Sequence, residues 1–320
     1  MLTHVLLLIF GLFLLAFGAD LLVKGASGIA RHFHISDLAI GLTIVAFGTS
    51  APELIVNIIA AWKGSPDIVF GNVIGSNNFN LFIILGITGL IVPLTVQSST
   101  KRFEIPFSLV AVLVLFILSN DWLFGKEVNI LSRYDSLLLL VLFLAFLWYV
   151  FRQSAGNQAD ADRSSQSSGK SLWLLTGLVV LGLGGLVWGG ELVVSNAVSM
   201  AQILGISEKI IGLTIVAAGT SLPELATSVV AAIRKNHDIA IGNIIGSNIF
   251  NIFLILGVSS MVRPTLFTLS FNQDLLILAS GTVFLFLAIA VSRKNHIGRW
   301  GASVLLISYL SYTVWMITHS

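Results

Sequence analysis

The sequence predicts an all-α integral membrane protein with ten transmembrane helices, arranged as two five-helix repeats of inverted topology. Three observations lead to this prediction: an apolar composition, ten long apolar runs, and one motif that occurs twice at a fixed spacing. Of the 320 residues, 56% are apolar and 10% are charged, whereas a soluble domain has about 25% charged residues. A single soluble globule is therefore excluded.

The composition also excludes several kinds of site. The chain contains no cysteine, which excludes disulfides, thiolate metal sites and cysteine nucleophiles. Its net charge of +2 is too small to indicate a nucleic-acid partner. No feature of the sequence indicates an organic cofactor or an obligate protein partner, so we expect neither.

Apolar runs of about 18 to 25 residues are long enough to cross a bilayer as helices. The first run lacks a positive leader and a small-residue cleavage site, so we interpret it as a span and not as a removable signal peptide. Charged residues and Gly, Pro or Asn breaks separate the runs. The predicted spans are 3–23, 37–62, 67–92, 103–120, 133–151, 171–194, 207–233, 238–262, 272–292 and 298–317.

The longest hydrophilic stretch, residues 152–170, divides the chain into a first repeat, 1–151, and a second repeat, 171–320. It is rich in Ser, Gln and Asp and has no apolar residue larger than Ala, which predicts a flexible linker. Of the 17 Lys and Arg residues, 12 fall on the side of the membrane that holds this linker and 5 on the other. Basic residues favour the cytoplasmic side, so we expect a cytoplasmic linker and both termini outside.

The internal repeat is the strongest signal in the chain. Residues 41–86 align without a gap to residues 212–257, with 28 of 46 positions identical at an offset of 171. Five spans separate equivalent points, and because five is odd the second copy must be inverted. The charges agree: Lys24, on the predicted cytoplasmic side, becomes Ser195 where the equivalent loop faces outward. Inverted repeats are typical of secondary transporters; a duplicated membrane scaffold without transport is the alternative.

Each copy places Gly-Thr-Ser-x-Pro-Glu inside an apolar span, at residues 48–53 and 219–224. Proline lacks the amide proton that would bond four residues back, which frees a carbonyl and bends the helix. A carboxylate near the bilayer centre costs at least about 2.5–3.5 kcal/mol and indicates function by default, and no Lys or Arg lies at this depth in either span. The oxygen-bearing side chains are Thr49, Ser50, Glu53, Thr220, Ser221 and Glu224.

The next span in each copy adds a polar stripe at positions i, i+4 and i+8. Its members are Asn72, Ser76 and Asn80 in the first copy and Asn243, Ser247 and Asn251 in the second. An all-oxygen set suits hard cations such as calcium and sodium, so we favour cation ligation for Ser76, Asn80, Ser247 and Asn251. Asn77 and Asn248 lie off the stripe and are expected to form interhelical hydrogen bonds. Asp20 and Glu191, near span ends, are expected to be structural.

At these motifs the sequence resembles the sodium/calcium exchanger family, as a compact prokaryotic-type member, over essentially the whole chain. The resemblance implies that helices 2, 3, 7 and 8 surround the cation sites and that long, tilted helices 1 and 6 slide across them. It implies central carboxylates at Glu53 and Glu224, hydroxyl ligands from the Thr and Ser residues above, and backbone carbonyl ligands from Ala46 and Ala217. Asn80 and Asn251 fall where family members carry Asn or Asp, and Asn at both positions favours potassium-independent exchange.

The function implied by the resemblance is exchange of calcium for sodium across the inner (plasma) membrane, with net charge movement. Three alternatives stay open. A proton/calcium antiporter of the same superfamily could use the same two glutamates, although GTSxPE is the exchanger-type motif. A passive cation channel would normally use symmetric subunits or rings of ligands. An intramembrane enzyme is the third, but all six histidines fall near span ends.

Overall fold

The computed structural model describes residues 2–156, 171–204, 217–292 and 295–319. This part of the chain is almost entirely helical, as predicted, with a single turn at Ala217–Gly219 before α8. The helices are α1 Leu2–His32, α2 Asp37–Thr49, α3 Ala51–Lys63, α4 Pro66–Ile91, α5 Thr100–Ser119, α6 Arg133–Gly156, α7 Leu172–Ile203, α8 Leu222–Ile233, α9 His237–Val262, α10 Phe271–Val291 and α11 Arg299–His319. The strands are β1 Leu94–Thr95, β2 Ile130–Leu131, β3 Thr265–Leu266 and β4 His296–Ile297.

Seven helices in the described part of the chain are long and apolar enough to cross a membrane: α1, α4, α5, α6, α7, α9 and α10. The pair α2 and α3 passes the same test as one span bent by 48°. The predicted spans 207–233 and 298–317 correspond to α8 and α11, and residues 205–216, which precede α8, lie outside the described residues. The number ten therefore stays a prediction.

Three helices extend beyond their predicted ends by five residues or more. Helices α1 and α7 have 31 and 32 residues, which at about 1.5 Å per residue is about 47 Å, well above a hydrocarbon thickness of about 30 Å. Lys24 was expected to end the first span, but its ammonium lies 2.7 Å from Asp20 one turn earlier, so its charge is balanced within the helix. Helix α6 continues through Arg152 to Gly156, and the rest of the predicted linker, 157–170, lies outside the described residues.

The described residues form two compact units. Unit 1 comprises Met1–Pro52 and Tyr149–Asn243, and unit 2 comprises Glu53–Trp148 and Ile244–Ser320. Each unit contains pieces of both sequence repeats, so the compact units and the repeats are different divisions of the chain.

Unit 1 is built on the close approach of α1 and α7. A Cβ added at Gly18 would lie 2.8 Å from the carbonyl oxygen of Gly182, and one at Gly11 would lie 2.9 Å from that of Gly189. Side chains larger than hydrogen would therefore separate the two backbones. Small residues at such contacts are the usual way for membrane helices to pack closely, and this explains the glycines that recur along both helices.

Unit 2 is built around α4 and α9, with α10 packed on α4 and α5, and α11 packed on the second half of α4. Phe70, Phe267 and Phe271 form an aromatic cluster, with the rings of Phe70 and Phe267 4.9 Å apart in an edge-to-face arrangement. Two short antiparallel pairs, β1 with β4 and β2 with β3, join loops of this unit.

The two sequence copies share local backbone features at the offset of 171. Gly64 and Lys235 both have a positive φ, at 73° and 62°, in the turn that follows each Glu-bearing helix. A π-helical segment occurs at Phe79–Ile84 and again at Phe250–Ile255. Such segments are rare and are frequent at functional sites, and each of these contains one of the candidate asparagines.

Candidate functional site

The helix break predicted from proline is present in both copies. Ser50, between α2 and α3, has φ −85° and ψ 5°, and Ser221, before α8, has φ −91° and ψ 6°. In each copy proline is the second residue of the following helix. Because proline has no N–H, this position suits the first turn of a helix. The break therefore places a Thr-Ser pair at the end of one helical segment and a glutamate in the first turn of the next.

Unit 1 contains a buried hydroxyl–carboxylate cluster formed by Thr49, Ser50, Glu224 and Asn243. The Ser50 hydroxyl donates to Oε1 of Glu224 at 2.9 Å, and the Thr49 hydroxyl lies 3.0 Å from Oδ1 of Asn243. The Asn243 amide donates to the Ser228 hydroxyl at 2.9 Å and to the Glu224 carbonyl oxygen at 3.3 Å. Hydroxyls of the first copy thus meet the carboxylate and amide of the second.

Glu224 is the acidic member of this cluster. Its side chain is 1% exposed, and its Oε2 atom has no hydrogen-bond partner. Among the described residues, no Lys, Arg or His forms an ion pair with it. A buried carboxylate is costly unless an opposite charge or hydrogen bonds compensate it. The cluster therefore has the chemistry to attract a cation.

The other sequence-predicted residues of unit 1 lie on the same helix segments. The Thr49 hydroxyl is also within 3.3 Å of the Ala46 carbonyl oxygen, which accepts the Ser50 N–H at 3.0 Å. Ser221 is buried and Thr220 is partly exposed. Ala217 begins the turn before α8.

Unit 2 contains the remaining candidates, Glu53, Ser76, Asn80, Ser247 and Asn251, and all five are buried. The hydroxyls of Ser76 and Ser247 and the amide oxygens Oδ1 of Asn80 and Asn251 have no hydrogen-bond partner. Buried polar oxygens normally find partners. These four are among the buried side-chain atoms without a partner, they lie at equivalent positions of the two copies and on the polar stripe, and they fit a set of oxygens suited to a hard cation.

Four asparagines of unit 2, which we name the asparagine brace, connect α4 to α9: Asn77, Asn80, Asn248 and Asn251. The Asn77 amide donates to the Asn248 carbonyl oxygen at 3.2 Å, and the Asn248 amide donates to the Asn77 carbonyl oxygen at 3.4 Å. Asn80 donates to Oδ1 of Asn248 at 3.0 Å, and Asn251 donates to Oδ1 of Asn77 at 2.9 Å. The interhelical bonds predicted for Asn77 and Asn248 are confirmed. The sequence did not predict that Asn80 and Asn251 also donate hydrogen bonds between these helices.

Sequence reasoning also missed a side-chain hydrogen bond between neighbouring helices of each copy. Asn72 donates to Oδ1 of Asn57 at 2.6 Å, and Asn57 donates to the Val69 carbonyl oxygen at 3.0 Å. The equivalent pair in the second copy is Asn243 with Ser228. A signal was available, because Asn57 and Ser228 lie four residues after the two glutamates and hence on the same helix face.

The acids expected to be structural lie outside these groups. Asp20 forms ion pairs with Lys24 and Arg234 in unit 1, and Glu191 is exposed on α7. From the sequence, Asp20 is expected to be tolerated near the end of a span because its side chain can reach the membrane interface. In the structure, two basic partners also balance its charge.

Comparison with known proteins identifies the family. The sodium/calcium exchanger protein family matches residues 3–152 and 174–318. The chain is 37% identical to the putative antiporter CaxA of Alkalimonas amylolytica, with 98% of each chain covered. It is 33% identical to the sodium/calcium exchanger MaX1 of Methanosarcina acetivorans, again with 98% of each covered. A solved structure of the sodium-calcium exchanger NCX_Mj superposes with a TM-score of 0.84 at 33% identity, covering 97% of this chain and 98% of that one.

These matches confirm the resemblance proposed from the motifs and the predicted class of fold, an all-α membrane protein of inverted repeats. They cover both copies of the repeat. The function class is transport across a membrane and not enzymatic catalysis. The chain belongs to the sodium/calcium exchanger protein family.

Proposed function

We propose that this protein is a secondary antiporter that exchanges calcium for sodium by alternating access. The observation that carries the proposal is the buried Glu224 carboxylate, which accepts a hydrogen bond from the Ser50 hydroxyl of the other repeat copy and has one oxygen without a partner. Family membership supports the identity of the ions, since the relatives include a sodium/calcium exchanger and crystals of NCX_Mj soaked with sodium and calcium. In inverted-repeat transporters, access alternates as one repeat or bundle moves against the other.

The proposed ligands are all oxygens, in agreement with the preference of calcium and sodium for hard donors. Carboxylates come from Glu53 and Glu224, and carbonyls from Ala46 and Ala217. The hydroxyl and amide ligands are Thr49, Ser50, Thr220, Ser221, Ser76, Ser247, Asn80 and Asn251.

The proposed exchange is electrogenic and independent of potassium. Two carboxylates balance one calcium ion but not three sodium ions. If three sodium ions exchange for one calcium ion, each cycle moves one net charge, worth about 2.3 kcal/mol per 100 mV. Asn at both 80 and 251 keeps the number of carboxylates at two, which favours potassium independence. Flux that does not respond to membrane potential would contradict this part of the proposal.

The proposed orientation in a prokaryotic plasma membrane has both termini outside and residues 152–170 in the cytoplasm. The uneven distribution of Lys and Arg supports it. The pairing of Lys24 and Arg234 with one acid, Asp20, is consistent with the assignment of both basic residues to the same side. Accessibility of single cysteines placed in the linker and at a terminus of this cysteine-free chain would test the orientation.

The decisive experiment is calcium-45 uptake into proteoliposomes that contain sodium, potassium or an acidic buffer. We expect uptake only with an outward sodium gradient, and none for Glu53→Gln. Uptake driven by internal acid would instead assign a proton/calcium antiporter. Uptake without any counter-ion would indicate a channel.

A further inference from the structure

The asparagine brace solves an orientation problem for an amide ligand. A carboxamide has an oxygen end that accepts and an NH₂ end that only donates, and only the oxygen can bind a cation. If the two ends of Asn80 or Asn251 could exchange places, the NH₂ group would face the cation for part of the time. The neighbouring side chains therefore decide whether these residues are ligands at all.

In the brace, the NH₂ groups of Asn80 and Asn251 are fixed by acceptors on the opposite helix. Asn80 donates to Oδ1 of Asn248, and Asn251 donates to Oδ1 of Asn77. The oxygen ends of Asn80 and Asn251 are left buried with no hydrogen-bond partner. The two acceptors are themselves held, because Asn77 and Asn248 each donate to the backbone carbonyl of the other.

We propose that Asn77 and Asn248 are positioning residues for cation binding, which fix the amide oxygens of Asn251 and Asn80 in the ligand orientation. This inference rests on the proposed function, in which Asn80 and Asn251 are ligands. The π-helical segments support it, since each begins one residue before the ligand asparagine. The bonds are reciprocal between the copies, because residues 77 and 248, like 80 and 251, are related by the offset of 171. The two positions should therefore respond alike to substitution.

The variants are Asn248→Leu and Asn77→Leu, which keep the approximate size of the side chain and remove both of its hydrogen-bonding ends. The matched control is Asn78→Leu. Asn78 is also buried on α4 and also donates to a backbone carbonyl of another helix, that of Asp274 at 3.2 Å, but it has no bond to Asn80 or Asn251. Asn248→Ala is a second variant that removes the acceptor, for use if the leucine variant does not fold.

Cation binding is measured as stabilisation of the purified full-length protein against thermal unfolding by CaCl₂ or NaCl, with choline chloride as the ionic-strength control. We expect Asn248→Leu and Asn77→Leu to raise the half-saturating calcium concentration about tenfold or more, the usual cost of losing a residue that orients a ligand. Asn78→Leu should lower the midpoint without cation but change the half-saturating concentration less than about twofold.

A double-mutant cycle separates positioning from general damage. In the Asn80→Ala background there is no amide left to orient at position 80. Asn248→Leu should then raise the half-saturating calcium concentration by less than about twofold. An unchanged tenfold effect in that background, or an effect in wild type no larger than that of Asn78→Leu, would overturn the inference.

The binding readout also keeps the two proposals apart. A wild type that binds calcium but takes it up without a sodium gradient would overturn the proposed function, while the cycle would still decide the positioning role. Sodium-driven uptake together with an unaffected Asn248→Leu variant would overturn the positioning role alone. A wild type that neither binds nor transports the ions would overturn both.

Discussion

The hydroxyl–carboxylate cluster of unit 1 and the asparagine brace of unit 2 use different hydrogen-bond donors: hydroxyls in the cluster and amides in the brace. In the cluster, Ser50 and Thr49 present hydroxyls, which rotate and can donate through hydrogen while accepting or ligating through oxygen. In the brace, each donor is an amide NH₂ fixed by a reciprocal bond to the opposite helix. The cluster contains an acidic side chain and hydroxyls that can rotate, whereas the brace contains only amides, each held by hydrogen bonds to the opposite helix.

This difference suggests separate roles for the two groups in an exchanger whose two substrates differ in charge. A calcium and a sodium ion both need oxygen ligands, but they demand different amounts of negative charge. If these groups are ligands as proposed, rotatable hydroxyls beside a carboxylate would reorganise as one ion replaces the other. The fixed amide oxygens would offer both ions the same geometry. Removal of the carboxylate, of an amide donor and of a hydroxyl should therefore have distinct effects.

The largest effect is expected from removing the charge of the cluster. Glu224→Gln keeps the size of the side chain and an acceptor for Ser50 but leaves the cation without this carboxylate. Loss of one partner of a buried charge pair costs about 2–5 kcal/mol, so we expect the initial rate of sodium-driven calcium uptake to fall about a hundredfold or more. Glu191→Gln, which removes an exposed acid from α7, is the control and should behave as wild type. Comparable uptake by the two variants would remove Glu224 from the site.

The next effect is expected from placing a carboxylate in the brace. Asn80→Asp replaces the NH₂ that faces Oδ1 of Asn248 at 3.0 Å with an oxygen, so two acceptors oppose each other. An unsatisfied or opposed buried polar group costs about 1–3 kcal/mol, which should lower the thermal midpoint in cation-free buffer. Asn251→Asp should have the same effect by the repeat relation.

Asn129→Asp, at a partly exposed loop position, is the control for this prediction. Asn129 uses its Oδ1 to accept the N–H of Trp122, and an aspartate keeps that acceptor. If Asn80→Asp destabilises no more than Asn129→Asp, the amide of Asn80 does not have to donate, and the contrast between cluster and brace fails.

A smaller effect is expected from removing one hydroxyl of the cluster. Ser50→Ala deletes the donor to Glu224 at 2.9 Å and one proposed ligand. Hydrogen bonds to charged groups contribute about 1.5–3 kcal/mol, part of which the bound cation replaces, so we expect the half-saturating calcium concentration to rise about tenfold. Ser50→Thr keeps a rotatable hydroxyl and should recover most of the affinity. Ser195→Ala removes an exposed hydroxyl of α7 and serves as the control; equal effects at both serines would argue against the cluster.

The sequence predicted the parts of this molecule that follow from local chemistry. Proline inside an apolar run predicted the break at Ser50, and the gapless repeat predicted the same break at Ser221. The off-stripe position of Asn77 and Asn248 predicted interhelical bonds. The break and the interhelical bonds each depend on the few residues around one position, and the repeat transfers the break to the second copy, so no knowledge of packing was needed.

What the sequence could not predict depends partly on residues far apart in the chain and partly on local geometry. The bond from Ser50 to Glu224 joins positions 174 residues apart, and no local pattern specifies it. Asn80 and Asn251 lie in π-helical segments, whereas the i, i+4, i+8 stripe assumed a regular α-helix. The length of α1 was underestimated because the pairing of Lys24 with Asp20 made a charged residue compatible with a continuing helix.

The smallest effect is expected from a carboxylate outside the spans, Asp121, in the loop between α5 and α6. Burial acts to raise the pKa of Asp121, but hydrogen bonds from Lys126 at 2.6 Å and from the Ile130 N–H at 3.0 Å, together with the charge of Lys126, lower it below its usual value. Because the pKa is lower in the folded state, the charged form stabilises the fold above the usual aspartate pKa, and this stabilisation is lost as the pH falls through the lowered value.

Asp121→Asn should therefore lower the thermal midpoint slightly at neutral pH, and the difference from wild type should shrink in acid. High salt should also reduce it, since Lys126 is largely exposed and exposed charges are screened. Sodium-driven calcium uptake should be unchanged. Asp121 has a lysine of the protein as its partner, whereas Glu224 has no ion pair among the described residues, and this difference separates an acid that stabilises a loop from one that is available to a cation. If Asp121→Asn impaired calcium binding as Glu224→Gln does, the presence of an ion-pair partner would not distinguish the two roles.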